Sequence, residues 1–213
     1  MTMTTFRTHM ATWRSLAVCA VLLIAAGCAT VPEAPEPAAT ISVQEDIGFS
    51  IAETVPVDDP LRFQYDDALR LLQQGRVDEG IAALVAVTEA APDLAAPRID
   101  LGIAYHVAGD LEAAEQHLVR AIELNPEHPV AHTELGIVYR KAGRFDEARQ
   151  SYETAVDVFP GYHHARRNLA ILCDLYLGDL DCAMENYEAY MATVPGDDEV
   201  EMWMADVRYR LEQ

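Results

Sequence analysis

The sequence predicts an all-α protein: a solenoid of about four stacked helix-turn-helix units plus a C-terminal capping helix. Three observations carry that prediction. Pro92, Pro126 and Pro160 recur with a step of 34 residues. The same step relates Leu101, Leu135 and Leu169, Tyr105 and Tyr139, Gly75, Gly109 and Gly143, Ala114 and Ala148, and Ala121 and Ala155. Each unit then reads as two amphipathic stretches either side of a glycine, the pattern of an antiparallel helix pair.

Residues 1–27 stand outside that pattern. Two arginines, Arg7 and Arg14, precede an uncharged apolar run from Leu16 to Ala26. This is the layout of a secretory signal, too short to remain as a membrane span. Met10 is an alternative start that leaves a compact signal. The stretch LLIAAGC, residues 22–28, resembles a bacterial lipoprotein box, with Ala25 where Leu is commoner. The resemblance implies cleavage before Cys28 and acylation (palmitate included) of its thiol and the new amine. With Ala29 rather than Asp next, and a Gram-negative host assumed, it implies transfer to the periplasmic face of the outer membrane. A plain cleaved signal with an incidental cysteine is the alternative.

Residues 28–60 read as the lipidated cysteine and a disordered acidic tether. Five prolines and seven carboxylates, with no Lys or Arg, lie between Ala29 and Pro60, a composition that cannot bury a core. An extended chain of that length reaches roughly 30 Å. Ile47, Phe49, Ile51, Val55 and Val57 alternate with small or polar residues. Two readings stay open: a strand with one apolar face that docks on the solenoid or on a partner, or an unstructured stretch.

The repeats occupy 61–196, divided as 61–94, 95–128, 129–162 and 163–196. Small residues (Gly102, Gly136, Ala114, Ala148, Ala121, Ala155) mark where paired helices approach closely, since a larger side chain there would overpack. Tyr105, Tyr139, Phe145 and Tyr152 fill the space between, and each proline ends a unit. The outer units are looser. Asp67 replaces the repeated Leu and Gly80 the repeated Ala, while Gly178, Ala183 and Pro195 fall one residue late. An extra residue is therefore expected between Leu169 and Gly178, lengthening or bulging that helix. In 197–213, Asp198 and Glu201 read as a capping box. Val200, Trp203, Met204, Val207 and Leu211 give a helix face to cover the last unit.

The segments LGIAYHVAGDLEAAEQHLVRAIELNP and LGIVYRKAGRFDEARQSYETAVDVFP closely resemble the tetratricopeptide repeat. That resemblance implies an α-solenoid whose concave face, made by the first helix of each unit, binds a peptide segment of another protein. Mapped onto it, the groove is Tyr65, Asp66, Leu69, Ile99, Asp100, Ile103, His106, Glu134, Ile137, Arg140, Lys141, Arg167, Asn168 and Ile171. Leu69, Ile103, Ile137 and Ile171 form an aliphatic ladder beside a mostly acidic one, with Arg140, Lys141 and Arg167 as a basic spot. Aliphatics replace the Lys/Asn/Arg clamp by which chaperone-binding members hold a C-terminal carboxylate. The composition suits a partner with apolar anchors and a basic flank. Ordinary inter-repeat packing is the competing account of the same residues.

Chemistry is otherwise sparse. No GxGxxG, P-loop, GxSxG or HExxH is present, so neither enzyme nor cofactor nor metal is expected. His128 and His132 are separated by Pro129 and lack a supporting ligand cluster; His163 and His164, being adjacent, should point apart on a helix. Cys173 and Cys182 straddle Gly178, and an exported protein lies in an oxidising compartment. A disulfide is one reading, two free buried cysteines the other. Residues 1–28 hold two of the fifteen basic residues and no acidic one, so the remainder carries 13 basic against 35 acidic residues, a formal charge of −22. Such a surface repels nucleic acid and anionic lipid, leaving the N-terminal lipid as the membrane contact. The expectation is a membrane-anchored periplasmic scaffold that binds a protein partner in an envelope assembly or transport machine. Relatives of that kind serve pilus and secretion-channel assembly, outer-membrane insertion, envelope energy transduction and cell-wall synthesis. The alternative is a regulator that presents or restrains a periplasmic protease or peptidoglycan hydrolase.

Overall fold

The computed structural model describes residues 39–44, 48–53 and 57–213; the signal, the lipoprotein box with Cys28, Ile47 and Val55 lie outside them. Two strands come first, β1 (Ala39–Gln44) and β2 (Gly48–Glu53), paired antiparallel with Ile41 opposite Ile51 and Val43 opposite Phe49. Of the two readings left open for the alternating stretch, the strand is the one present over Gly48–Glu53. A mainly β-branched run, TISV, precedes the alternating run that the sequence had singled out, and each offers the other its backbone hydrogen-bonding groups.

Eight helices follow as four hairpins: α1 (Asp59–Gln73) with α2 (Val77–Ala90), α3 (Ala96–Ala108) with α4 (Leu111–Leu124), α5 (Pro129–Lys141) with α6 (Phe145–Val158), and α7 (His163–Leu172) with α8 (Leu180–Thr193). A last helix, α9 (Asp198–Leu211), packs on α8. Every second helix of a hairpin also packs on the first helix of the next. The stack is thus a one-dimensional array in which neighbours complete each other's core.

Local chemistry sets these boundaries. The side chains of Asp58, Asp110 and Asp179 accept backbone N–H groups at the starts of α1, α4 and α8. Pro60, Pro97 and Pro129 sit in the first turns of α1, α3 and α5, where a missing N–H has no consequence. Gly109 and Gly143 turn each central hairpin at φ +89° and +76°, a conformation other residues adopt only with strain. Packing explains the small residues. A Cβ on Gly102 would lie 2.6 Å from Leu118 Cγ, and one on Gly136 2.5 Å from Tyr152 Cε1. Tyr152 is fully buried against that glycine, as are Ala114, Ala121, Ala148 and Ala155 at the other close approaches. In the first unit Gly80 faces Leu72, whose side chain takes the space a Cβ would need. Asp67 is exposed and ion-paired with Arg70.

The late fourth unit has a specific cause. Helix α7 runs on as a π-helical turn, Cys173–Leu177, closed by Gly178 in the left-handed region. The added residue is taken up in this wider turn, and Cys173, its first residue, is joined to Cys182 in a disulfide with Cα atoms 5.9 Å apart. The cap of α9 differs by one residue from expectation. Asp197, not Asp198, accepts the N–H groups of Glu199 and Val200, because the turn at Gly196 (φ +84°) starts the helix at once. Within α9, Val200 and Val207 are fully buried and Trp203 and Met204 half-buried, whereas Leu211 is exposed.

Candidate partner-binding face

The first helices of the four hairpins lie side by side: α1 touches α3, α3 touches α5, and α5 touches α7. Leu69, Ile103, Ile137 and Ile171 occupy equivalent places on these helices and all four are half-buried. Their inner atoms meet the core: Ile103 rests on the cluster holding Leu118 and Leu135, and Ile137 and Ile171 on the cluster holding Leu169 and Leu172. The rest of each side chain stays accessible, so the ladder both packs and presents. Ile99 does not belong to it. At 4% exposure it lies inside the core with Ala95, Ala114 and Leu118, a correction to the predicted groove.

The polar side runs from helix to helix, with one hydrogen bond and then charge effects. The Tyr65 hydroxyl on α1 donates to the Asp100 carboxylate on α3. Burial pushes the Asp100 carboxyl above its usual range, and this hydrogen bond offsets part of that. One helix further, burial with the neighbouring Asp100 charge pushes Glu134 from the ordinary 4.5 to about 7. The next element supplies Tyr162, at the start of α7, pushed to about 12 by burial and then by the Glu134 charge. Asp66 is exposed, outside this run, and the Asn168 amide turns back 2.8 Å onto the His164 carbonyl of its own helix.

The expected basic spot is largely committed elsewhere. The Arg140 guanidinium sits 3.4 Å from the hydroxyls of both Tyr152 and Tyr176 and over the Tyr176 ring. Arg167 pairs with Glu199 at 2.9 Å and lies 5.1 Å over the Trp203 ring, which binds it to α9. Lys141 is exposed at the end of α5. His106 is half-buried, and its buried Nε2 has no hydrogen-bond partner among the described residues. Burial first, then Lys141 and Arg140, hold its imidazole below the ordinary value.

Tetratricopeptide repeat models match residues 64–133 and 133–198, together well over half of the chain. The chain belongs to the tetratricopeptide repeat (TPR) family. No curated protein matches it. Among solved structures, MamA from Desulfovibrio magneticus RS-1 is 20% identical at a TM-score of 0.64, covering 74% of this chain and 88% of its own. Pseudomonas aeruginosa pilF is 19% identical at 0.66, covering 73% of this chain and 70% of its own. The first TPR domain of Spaghetti, bound to the HSP90 peptide SRMEEVD, is 20% identical at 0.53, covering 56% of this chain and 96% of its own. At these identities the likeness is one of fold.

Two histidines of this TPR protein contact backbone groups at the turn into α5. His128 Nδ1 accepts the Ala131 N–H as the α5 cap, and burial lowers it to about 4; His132 Nε2 meets the Pro126 carbonyl at 2.8 Å. His163 and His164 do not point apart: their rings lie 4.1 Å from each other and the His164 ring 5.5 Å from that of Tyr162. Among the described residues, the Cys173, Asp179 and Cys182 side chains alone cluster as metal ligands would, and both cysteines are spent in the disulfide. Sequence reasoning missed Tyr152, Tyr162 and Tyr176 as neighbours of this face. Tyr176 lies in the π-helical turn, beyond the point where repeat register applies, and Tyr162 aligns with His128 and Leu94, so no repeated residue type marks the position.

Proposed function

We propose that this TPR protein is a lipid-anchored, non-catalytic adaptor on the periplasmic face of the outer membrane, which holds a segment of a partner protein on the face of α1, α3, α5 and α7. The observation that carries the proposal is the aliphatic ladder. Leu69, Ile103, Ile137 and Ile171 remain partly accessible at four equivalent places, while Ile103, Ile137 and Ile171 also rest on the cores beneath. A regular row of apolar side chains on a rigid scaffold is what an extended or helical segment needs for its anchors. Spaghetti's TPR domain, with its bound peptide, is an instance of the fold holding such a segment. Anchoring rests on the lipoprotein-box stretch ending in Gly27-Cys28 and the acidic, proline-rich residues after it.

Two experiments test the two halves. Crosslinking in intact cells and identification of co-purified proteins should return one dominant partner. Joint replacement of Ile103 and Ile137 by Asp should abolish its capture while circular dichroism stays helical. Capture that survives the double change removes the binding face. Cys28→Ser should move the protein from the membrane to the soluble fraction; unaltered membrane association removes the anchor.

A further inference from the structure

The Asp100 and Glu134 carboxylates are out of place in a surface that serves packing alone. Each is half-buried on the face of the first helices, at equivalent positions 34 residues apart on α3 and on α5, which packs beside it. Asp100 accepts a hydrogen bond from a neutral hydroxyl, Tyr65. Neither carboxylate forms an ion pair among the described residues: Arg140 is held by two tyrosine hydroxyls and Arg167 by Glu199 and Trp203. Two carboxylates on adjoining helices, each partly withdrawn from water and without a counter-charge among the described residues, are unfavourable in the free protein. Ile103 lies one turn beyond Asp100 on α3, and Ile137 three residues beyond Glu134 on α5.

We propose, resting on the reading of this face as a binding site, that the partner segment places one lysine or arginine between Asp100 and Glu134, its alkyl stem lying along Ile103 and Ile137. The cation supplies the charge that the two carboxylates lack, and the stem covers apolar surface, the usual division of labour in these side chains. The basic element of the ligand is therefore central, not a flank. An acidic segment is disfavoured, since it would bring further negative charge to a desolvated pair.

The test uses the full-length protein and a random nonapeptide display library. Selected peptides should share one Lys or Arg beside aliphatic residues. Replacing that residue by norleucine in a synthetic peptide should weaken binding to the unaltered protein roughly tenfold or more. Asp100→Asn with Glu134→Gln should erase the preference for Lys and Arg, and SRMEEVD should bind far more weakly than the selected peptides. Selection that depends on Ile103 and Ile137 but ignores Lys and Arg overturns this inference and leaves the binding face standing. Absence of any selection, or selection untouched by the Ile103→Asp, Ile137→Asp change, overturns both. Self-association that is lost on Glu134→Gln identifies a second copy as the occupant and overturns the peptide assignment.

Discussion

Glu134 is a side chain whose environment works against its charge, and that has a measurable effect on stability. Its folded pKa of about 7 lies above the ordinary 4.5, with burial as the main cause. Between those two values the folded chain binds the proton that the unfolded chain has released, so stability falls as pH rises through this window. Below about 4.5 the residue is protonated in both states and carries no penalty; above about 7 the penalty is complete, at most roughly 3 kcal/mol for a shift of this size. Glu134→Gln should therefore raise the melting temperature at pH 8 and leave it nearly unchanged at pH 4. Equal effects at both values would show that the carboxyl is well solvated. Which residues share the face of α1, α3, α5 and α7 was legible from repeat register, since it places every 34th residue alike. Whether each was accessible or already engaged was not. Ile99 fits the register but faces inward, and Arg167 fits it but is drawn to Glu199 and Trp203 from α9, which lies outside the repeats.

At the scale of elements, the π-helical turn and its disulfide form one unit. The turn Cys173–Leu177 sets Asp174 in a buried position where the Tyr187 hydroxyl, at 3.4 Å, and Arg210 of α9 both reach it. The Cys173–Cys182 bond spans nine positions, and closing so short a loop in the unfolded chain contributes about 2.5 kcal/mol in the chain-entropy account. Cys173→Ser with Cys182→Ser, or addition of reductant to the unaltered protein, should each lower the melting temperature by roughly 5–10 °C. A thermal unfolding curve indifferent to reductant would mean that the bond adds nothing to the folded state. The inserted residue was readable from the sequence because it pushed Gly178, Ala183 and Pro195 out of step together. Its form, a π-helical turn, was not, since a longer helix would produce the same offset. Nor was the pairing of β1 with β2 readable: alternation marks one strand but does not name its partner, and proline-rich, acidic surroundings argued against any.

Across the whole array, stability is a sum of unit and neighbour terms, so damage at one end should stay near that end. The C-terminal helix offers the clearest case. Its own Val200 and Val207 are fully buried, its Trp203 ring lies 5.9 Å from that of Tyr187, and Tyr190 donates to Asp197 at 2.7 Å. Arg210 and Glu199 neutralise Asp174 and pair with Arg167. Removing residues 198–213 would uncover Tyr187, strand the buried Asp174 carboxylate without its cation, and free Arg167 from both its partners. Hydrogen exchange on the truncated protein should show amide protection collapsing in α7 and α8, declining in α5 and α6, and nearly intact in α1–α4. The array transmits such a loss through the contacts of α6 with α7 and of α5 with α7, which are sparser than those inside a hairpin, and through side-chain links such as Arg149 to Asp179 and Arg140 to Tyr176. Uniform loss of protection from α1 to α8 would instead mean that the four hairpins unfold as a single cooperative block, with α9 stabilising all of them equally.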